Sequence, residues 1–278
     1  MKIDEIIREA IKEDVGPGDY SSLSSIPITA VDKAKLIVKE EGIIAGIDIA
    51  EKVFHQVDAT INFHKLIEDG TAVKYGDVAF KVEGSAISLL TAERLALNFM
   101  QRMSGIATYT NYMVGLLKGT TTKILDTRKT TPLLRELEKY AVKAGGGYNH
   151  RFGLFDMVMI KDNHIDFAGG ISQAITSCNS YLKTNKLNLK IEIEVRNMEE
   201  LSQVLAVGNV DRIMLDNFTP DELKIALKTI NGRFETEASG GITEETIRVY
   251  AETGVDYISV GALTHHIKSL DMSLISDK

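Results

Sequence analysis

From about residue 120 onward, short apolar runs alternate with amphipathic segments of helical period. The apolar runs are KILD (123–126), DMVMIK (156–161), LKIEIEV (189–195), DRIMLD (211–216), FETEAS (234–239) and DYISVGA (256–262). Between them lie LLRELEKYAVKAG, ISQAITSCNSYLK, NMEELSQVLAVG, TPDELKIALKTING and TEETIRVYAETG, whose apolar residues recur three and four apart. Strands alternating with helices predict parallel βαβ units. Six such strands in succession favour a barrel over an open sheet. No GxGxxG follows the first strand, so a dinucleotide-binding fold has little support.

The first third reads differently. Residues 1 to about 22 predict a helix and a turn, broken at Gly16-Pro17-Gly18. The helix, MKIDEIIREAIKED, is acidic and amphipathic, unlike a signal peptide. From about 23 to 90, AKLIVKEEGIIAG, ATINFHKLIEDGTAV and GDVAFKVEGSA are short strand-like runs separated by Gly and Asp-Gly turns, with IDIAEKVFHQV as a helix between them. This predicts a small α+β domain. LTAERLALNFMQRMSGIATYTNYMVGLLKG predicts one or two helices with a break near Ser104-Gly105.

Charge changes the picture locally. The chain has 278 residues and a net charge of −7, which argues against general nucleic-acid binding. The longest apolar runs are only a few residues, so nothing in the pattern spans a membrane. A single cysteine, Cys178, excludes an intrachain disulfide framework and a cysteine-based zinc site, and fits a reducing cytoplasm. Within this acidic chain, residues 123–164 carry +3, leaving −10 for the remainder. A basic patch inside an acidic protein focuses the field on a small anion. Arg135, Glu136, Glu138 and Lys139 are set aside as solvated pairs on one short helix.

The polar residues recur at one place. Asp126 to Lys129, Lys161 to His164, Glu194, Asp216, Ser239 to Gly241 and Gly261 all fall at C-terminal strand ends, the active face of a βα barrel. EASGGITEETI passes from a strand through two glycines into a helix, which suits a phosphate. Glu192 and Glu194 alternate with apolar residues, so both carboxylates share one strand face. If that face points into a barrel they need cationic or metal partners; the alternative is a solvent-facing edge strand. Asp216 suits sugar hydroxyls or Mg²⁺. Lys161 admits a rival, Schiff-base chemistry, but a nucleophilic lysine leaves the other cations and the Gly-Gly loop unexplained. His150 and His164 match no metal motif and are read as hydrogen-bonding or positioning groups. His265-His266 is read as surface, Cys178 as core.

These residues closely resemble the quinolinate phosphoribosyltransferase family, over nearly the whole chain. DTRKTTPLLRELEKYAVKAGGGYNHRFGLFD and IKDNHI are the most specific matches. EDVGPGDYSSLSSIP, ERLALNFMQRMSGIAT, IEIEV, IMLDNF, EASGGI and GVDYISVGALTH complete the set in order. The resemblance implies a type II phosphoribosyltransferase fold: an α/β sandwich over 1–108, on which the tail 266–278 packs back, and an incomplete, about seven-stranded α/β barrel over 109–265. The pattern shows one barrel strand fewer. It implies phosphoribosyl transfer from phosphoribosyl pyrophosphate to quinolinate with decarboxylation, with Mg²⁺ and no organic cofactor. It also implies a homodimer in which Arg94 enters the partner's active site; some members form hexamers.

Carried over by motif, Arg94, Arg128 and Arg151 hold the quinolinate carboxylates, for which guanidinium forks are suited. Lys129, Lys161 and His150 lie near substrate carboxylate and pyrophosphate, with Thr127 beside them. Glu194 and Asp216 serve the ribose hydroxyls and Mg²⁺, and with Lys129 and Lys161 form the implied catalytic set. Ser239, Gly240, Gly241, Val260, Gly261 and Ala262 cradle the 5′-phosphate. A related protein associated with molybdenum transport shares the DTRKT-like and GGG-x-x-HR-like patterns, but IKDNH follows the quinolinate type. Nicotinate phosphoribosyltransferase matches the ordered motifs less well. A silent binding protein would be favoured by loss of Lys129, Arg151, Lys161, Glu194 or Asp216, and none is lost.

Overall fold

The structure, a computed structural model, describes residues 2–277. Five strands come first: β1 Val31–Val38, β2 Gly42–Ile43, β3 Asn62–Lys65, β4 Ala72–Val73 and β5 Val78–Ser85. Then come β6 Lys123–Leu125, β7 Val158–Ile160, β8 Ile191–Val195, β9 Arg212–Asp216, β10 Glu235–Ser239 and β11 Tyr257–Ser259, and finally β12 Met272–Ser276. The chain divides into two compact units. One comprises 1–112, 130–146 and 262–278, the other 113–129 and 147–261.

The first unit is built on an antiparallel sheet in the order β12-β1-β5-β3, with β2 and β4 paired separately. Alternation along β1 buries Ala34, Leu36 and Val38. The helix Ile47–Val57 covers this face, and Phe54 meets Phe80 edge-on at 5.9 Å while Phe63 lies 4.4 Å from Phe80. β12 returns from the far end of the sequence to pair with β1 from Ala34 to Val38.

Two expectations are corrected here. The segment around Ser104-Gly105 does not break: one helix runs from Ala86 to Leu116. Ser104 Oγ donates to the Ala45 carbonyl at 3.1 Å and accepts the Ala45 N–H at 2.9 Å. A Cβ on Gly105 would run into the Lys268 carbonyl oxygen. The small residues exist for close backbone approach. The second correction concerns the supposed solvated charges on the helix Arg135–Ala144. Glu138 is 1% exposed and Lys139 2%. Arg102 grips Glu138 through Nη2 at 2.6 Å and Nε at 3.0 Å, and the Thr131 N–H adds a bond at 3.2 Å. The short helices Tyr20–Ser25 and Asp162–Ala168 were not legible as such in the pattern.

The second unit is a parallel sheet in the order β6-β11-β10-β9-β8-β7. Tyr148 adds a single parallel bridge to Leu125, backed by Tyr148 N–H to Ile124 O at 2.9 Å and Asp126 N–H to Tyr148 O at 3.0 Å. The sheet thus has six strands, and this isolated bridge beside β6 stands where a seventh would pair. It sits in a Gly-rich stretch, where alternation has nothing to act on. From Tyr148 to β8 is five strand steps, about 24 Å in a flat sheet. Yet His150 Nε2 stands 2.8 Å from the Glu192 carboxylate. The sheet therefore curls into a barrel, left open between the Tyr148 edge and β7.

Side-chain alternation sorts the barrel into two faces. Ile193, Ile213, Leu215, Ala238 and Ile258 are fully buried on the face toward the helices. Those helices start on strong signals. Thr219 and Glu222 form a capping box with Pro220 in the first turn, and Asn197 accepts the Glu200 N–H at 2.9 Å. The registers Glu192↔Arg212, Glu235↔Arg212 and Glu237↔Tyr257 place acids, Arg212 and Tyr257 together on the inner face. The branched apolar layers common inside βα barrels are replaced by charge.

Candidate active site

Every strand of the barrel ends in polar residues at the same edge. β6 leads into Asp126, whose buried carboxylate accepts the His150 N–H at 2.8 Å. Thr127 Oγ1 accepts the Lys129 N–H at 3.0 Å, closing a tight turn that leaves Arg128 and Lys129 exposed. Arg151 Nη1 donates to the Met157 carbonyl at 3.3 Å. Burial, and then the Arg128 charge, hold the Arg151 pKa below its ordinary value. Two guanidinium groups that repel each other at the mouth of a barrel form a receptor for a multiply charged anion.

β7 leads into Lys161, which starts the helix Asp162–Ala168, and its N–H donates to His164 Nδ1 at 3.0 Å. Lys161 Nζ lies 3.2 Å from Glu194 Oε2 on β8. Lys161 thus stands beside a carboxylate and not in the apolar pocket that favours a Schiff-base lysine. Asp216 ends β9 in register with Ser239 at the end of β10. Gly240 and Gly241 follow with φ of 101° and 60°, in the region that favours glycine. Around Gly241 nothing would meet a Cβ within 4 Å, so its backbone faces open space. Val260 follows β11, buried, with its N–H on the Leu125 carbonyl at 2.9 Å, and Gly261 comes next. Thr127, Arg128, Lys129, Arg151, Lys161, Glu194, Asp216, Ser239, Gly240, Gly241 and Gly261 thus share one end of one sheet.

Arg94 and Ala262 belong to the other unit. Arg94 is an exposed residue of the helix Ala86–Leu116, and Ala262 opens the short helix Ala262–His265. Cys178 is half-buried and not a core residue; burial raises its thiol pKa. His265 and His266 are exposed, with their rings edge to face at 5.7 Å.

The two acids of β8 are not an exposed edge pair: Glu192 is 0% and Glu194 8% exposed, on a strand with neighbours on both sides. They take different partners. Glu192 lies beneath the site with His150 Nε2 at 2.8 Å, Glu237 completes the trio at 3.4 Å from the same nitrogen, and Arg212 Nη1 lies 3.1 Å from Glu237. Burial, reinforced by the Glu237 charge, raises the Glu192 pKa to about 7. Burial opposes a charged imidazole, but the carboxylates outweigh it and draw the His150 pKa up to about 9. The Arg151 N–H lies 2.7 Å from Nδ1, which leaves Nε2 to face the Glu192 and Glu237 carboxylates. His150 is buried and turned inward, and its ring ties Arg151 to the barrel interior. Glu237 and Arg212 were missed from the sequence. Their period-2 spacing with Ser239 and Asp216 was the available signal, but their meeting with His150 spans distant strands.

Hard carboxylate oxygens at the buried Glu194 and the half-buried Asp216, at a barrel mouth, are the donor type that Mg²⁺ takes alongside substrate phosphates. The residues present fit that ion.

Residues 19–104 match the family model "Quinolinate phosphoribosyl transferase, N-terminal domain" and residues 106–275 its "C-terminal domain" counterpart. The chain is 48% identical, over 98% of its length and 81% of the relative's, to a quinolinate phosphoribosyltransferase [decarboxylating] 1b of Nicotiana tabacum. It is 44% identical, over 99% of its length and 93% of the relative's, to a probable nicotinate-nucleotide pyrophosphorylase [carboxylating] of Bacillus subtilis. The crystal structure of NadC from Streptococcus pyogenes superposes with a TM-score of 0.94 at 41% identity, covering 99% of this chain and 97% of that one.

Proposed function

Because the chain belongs to the quinolinate phosphoribosyltransferase family, we propose that it transfers the phosphoribosyl group of phosphoribosyl pyrophosphate to quinolinate, with loss of CO₂, giving nicotinate mononucleotide and pyrophosphate for NAD biosynthesis. The observation that carries the reading is the placement of Arg128 and Arg151 at one barrel mouth, where burial, and then the Arg128 charge, lower the Arg151 pKa. Quinolinate brings two carboxylates to two guanidiniums, a group suited to carboxylate recognition. Nicotinate brings only one.

The reaction follows from the edge residues. The backbone around Ser239, Gly240, Gly241 and Gly261 receives the 5′-phosphate through N–H donors. Glu194 and Asp216 face the ribose and stabilise positive charge as the bond from the anomeric carbon to pyrophosphate breaks. Lys129 and Lys161 receive the departing pyrophosphate charge. Mg²⁺ held by Glu194 and Asp216 with the diphosphate would neutralise part of that charge. The pyridine nitrogen donates its lone pair to the anomeric carbon and becomes cationic. The carbon–carbon bond to the 2-carboxylate then breaks. CO₂ leaves, the electron pair stays on ring carbon 2 beside the positive nitrogen, and that carbon takes up a proton. The ring itself is the electron sink, so no organic cofactor is needed. Arg94 completes the quinolinate clamp from a second copy of the chain, in a cytoplasmic homodimer.

Incubation with Mg²⁺, phosphoribosyl pyrophosphate and either quinolinate or nicotinate tests this reading. Nucleotide should form from quinolinate with one CO₂ per product. Nucleotide from nicotinate without CO₂ would overturn it.

A further inference from the structure

Asn217 directly follows β9, with a left-handed backbone at φ 58°. Its Nδ2 donates to Asp216 Oδ2 at 2.7 Å, and its backbone N–H donates to the Ser239 carbonyl at 2.8 Å. Its Oδ1 occupies the space that a Cβ on Gly240 would need. A carboxylate accepts and does not donate. The amide is therefore fixed in one orientation, NH₂ toward Asp216 and C=O toward Gly240. Glycine is the cheapest residue at this φ, so the backbone alone does not call for an amide. One side chain couples the ends of β9 and β10, the carboxylate of the first and the glycine loop of the second.

We infer that Asn217 is a positioning residue for the sugar-phosphate half of the site. It holds the Asp216 carboxylate in one rotamer, and it packs against Gly240 so that the phosphate loop keeps its course. Its contacts, with the Asp216 carboxylate and with the Ser239–Gly240 turn, all belong to the sugar-phosphate half of the site. Its effect is therefore confined to one of the two substrates. This inference rests on the assignment of Asp216 and the Ser239–Gly241 loop to phosphoribosyl pyrophosphate given above.

Asn217→Gly separates the two roles of the residue, because it keeps the left-handed turn and deletes the amide. Asn217→Asp keeps shape and turn but replaces the donor with a second carboxylate. Titration calorimetry with phosphoribosyl pyrophosphate and Mg²⁺, together with KM for each substrate, reads the result. Both variants should melt within a few degrees of wild type and weaken phosphoribosyl pyrophosphate about 5- to 10-fold, as expected for one lost, partly exposed hydrogen bond to a charged group. KM for quinolinate should stay within about 2-fold. Unchanged phosphoribosyl pyrophosphate affinity in Asn217→Gly overturns the inference, as does an equal loss for both substrates. A wild-type chain that binds phosphoribosyl pyrophosphate but forms no nucleotide contradicts the functional reading instead and leaves the affinity comparison valid.

Discussion

Arg128 and Arg151 bring two positive charges to one barrel mouth, where burial first and then the Arg128 charge lower the Arg151 pKa. Such an arrangement weakens the empty protein and is relieved by an anion. Replacing either arginine with alanine removes a fork that holds one carboxylate in ground state and transition state alike. We expect kcat/KM for quinolinate to fall about 100-fold, the effect of losing charged hydrogen bonds worth about 1.5–3 kcal/mol each. Phosphoribosyl pyrophosphate binding should change little, and steady-state kinetics with each substrate varied in turn checks both. Glu138 shows the same logic turned to stability. Arg102→Ala leaves its carboxylate 1% exposed with its cation removed, which costs about 3 kcal/mol, less any relief from water reaching the half-exposed arginine site. Urea titration measures this.

Elements show what was legible and what was not. The six barrel strands and the helices between them are written in alternation and in caps such as Thr219–Glu222, so the pattern finds them. The Tyr148 bridge was hidden because one residue between glycines and a polar loop has no period. The Ser104–Gly105 site misled because a small pair inside a helix is the same signal whether the helix breaks or another backbone packs against it. Gly105→Ala should therefore destabilise by more than a helix propensity gain of about 1 kcal/mol could offset, since the Lys268 backbone must move. A melting-temperature comparison decides it. β12 gives a pH-dependent test. Asp277 is held at a pKa of about 2, below its ordinary 3.8, by hydrogen bonds to Lys35 and Lys81. A depressed acid stabilises above its unfolded pKa, and that contribution disappears as pH falls through the folded value. Asp277→Asn should thus lower the melting temperature at neutral pH, and the gap should close between about pH 4 and pH 2.

At the scale of the molecule, the candidate site was read from the sequence because its residues sit at the ends of elements the sequence declares. Arg128, Lys161, Glu194, Asp216 and Gly240 each lie at or just past the end of a legible strand. The interior beneath them was not legible. Glu192, Arg212 and Glu237 meet through pairing of the neighbouring strands β8, β9 and β10, and closure of the sheet brings His150 within 4 Å of both carboxylates. The proposed role of Arg94 also lies at this scale. An Arg94→Ala chain mixed with an inactive Lys161→Ala barrel chain should recover part of the activity if sites are shared between copies. No recovery after subunit exchange would count against sharing.

The proposed reaction turns on one step: the ring of quinolinate, once joined to ribose, loses the carboxylate next to its nitrogen. The direct measurement is a single incubation with phosphoribosyl pyrophosphate, Mg²⁺ and quinolinate carrying ¹³C in the 2-carboxylate only. We predict ¹³CO₂ equal in amount to pyrophosphate and to nicotinate mononucleotide, with none formed when phosphoribosyl pyrophosphate is omitted. Label retained in the nucleotide, or ¹³CO₂ released without phosphoribosyl pyrophosphate, would contradict it.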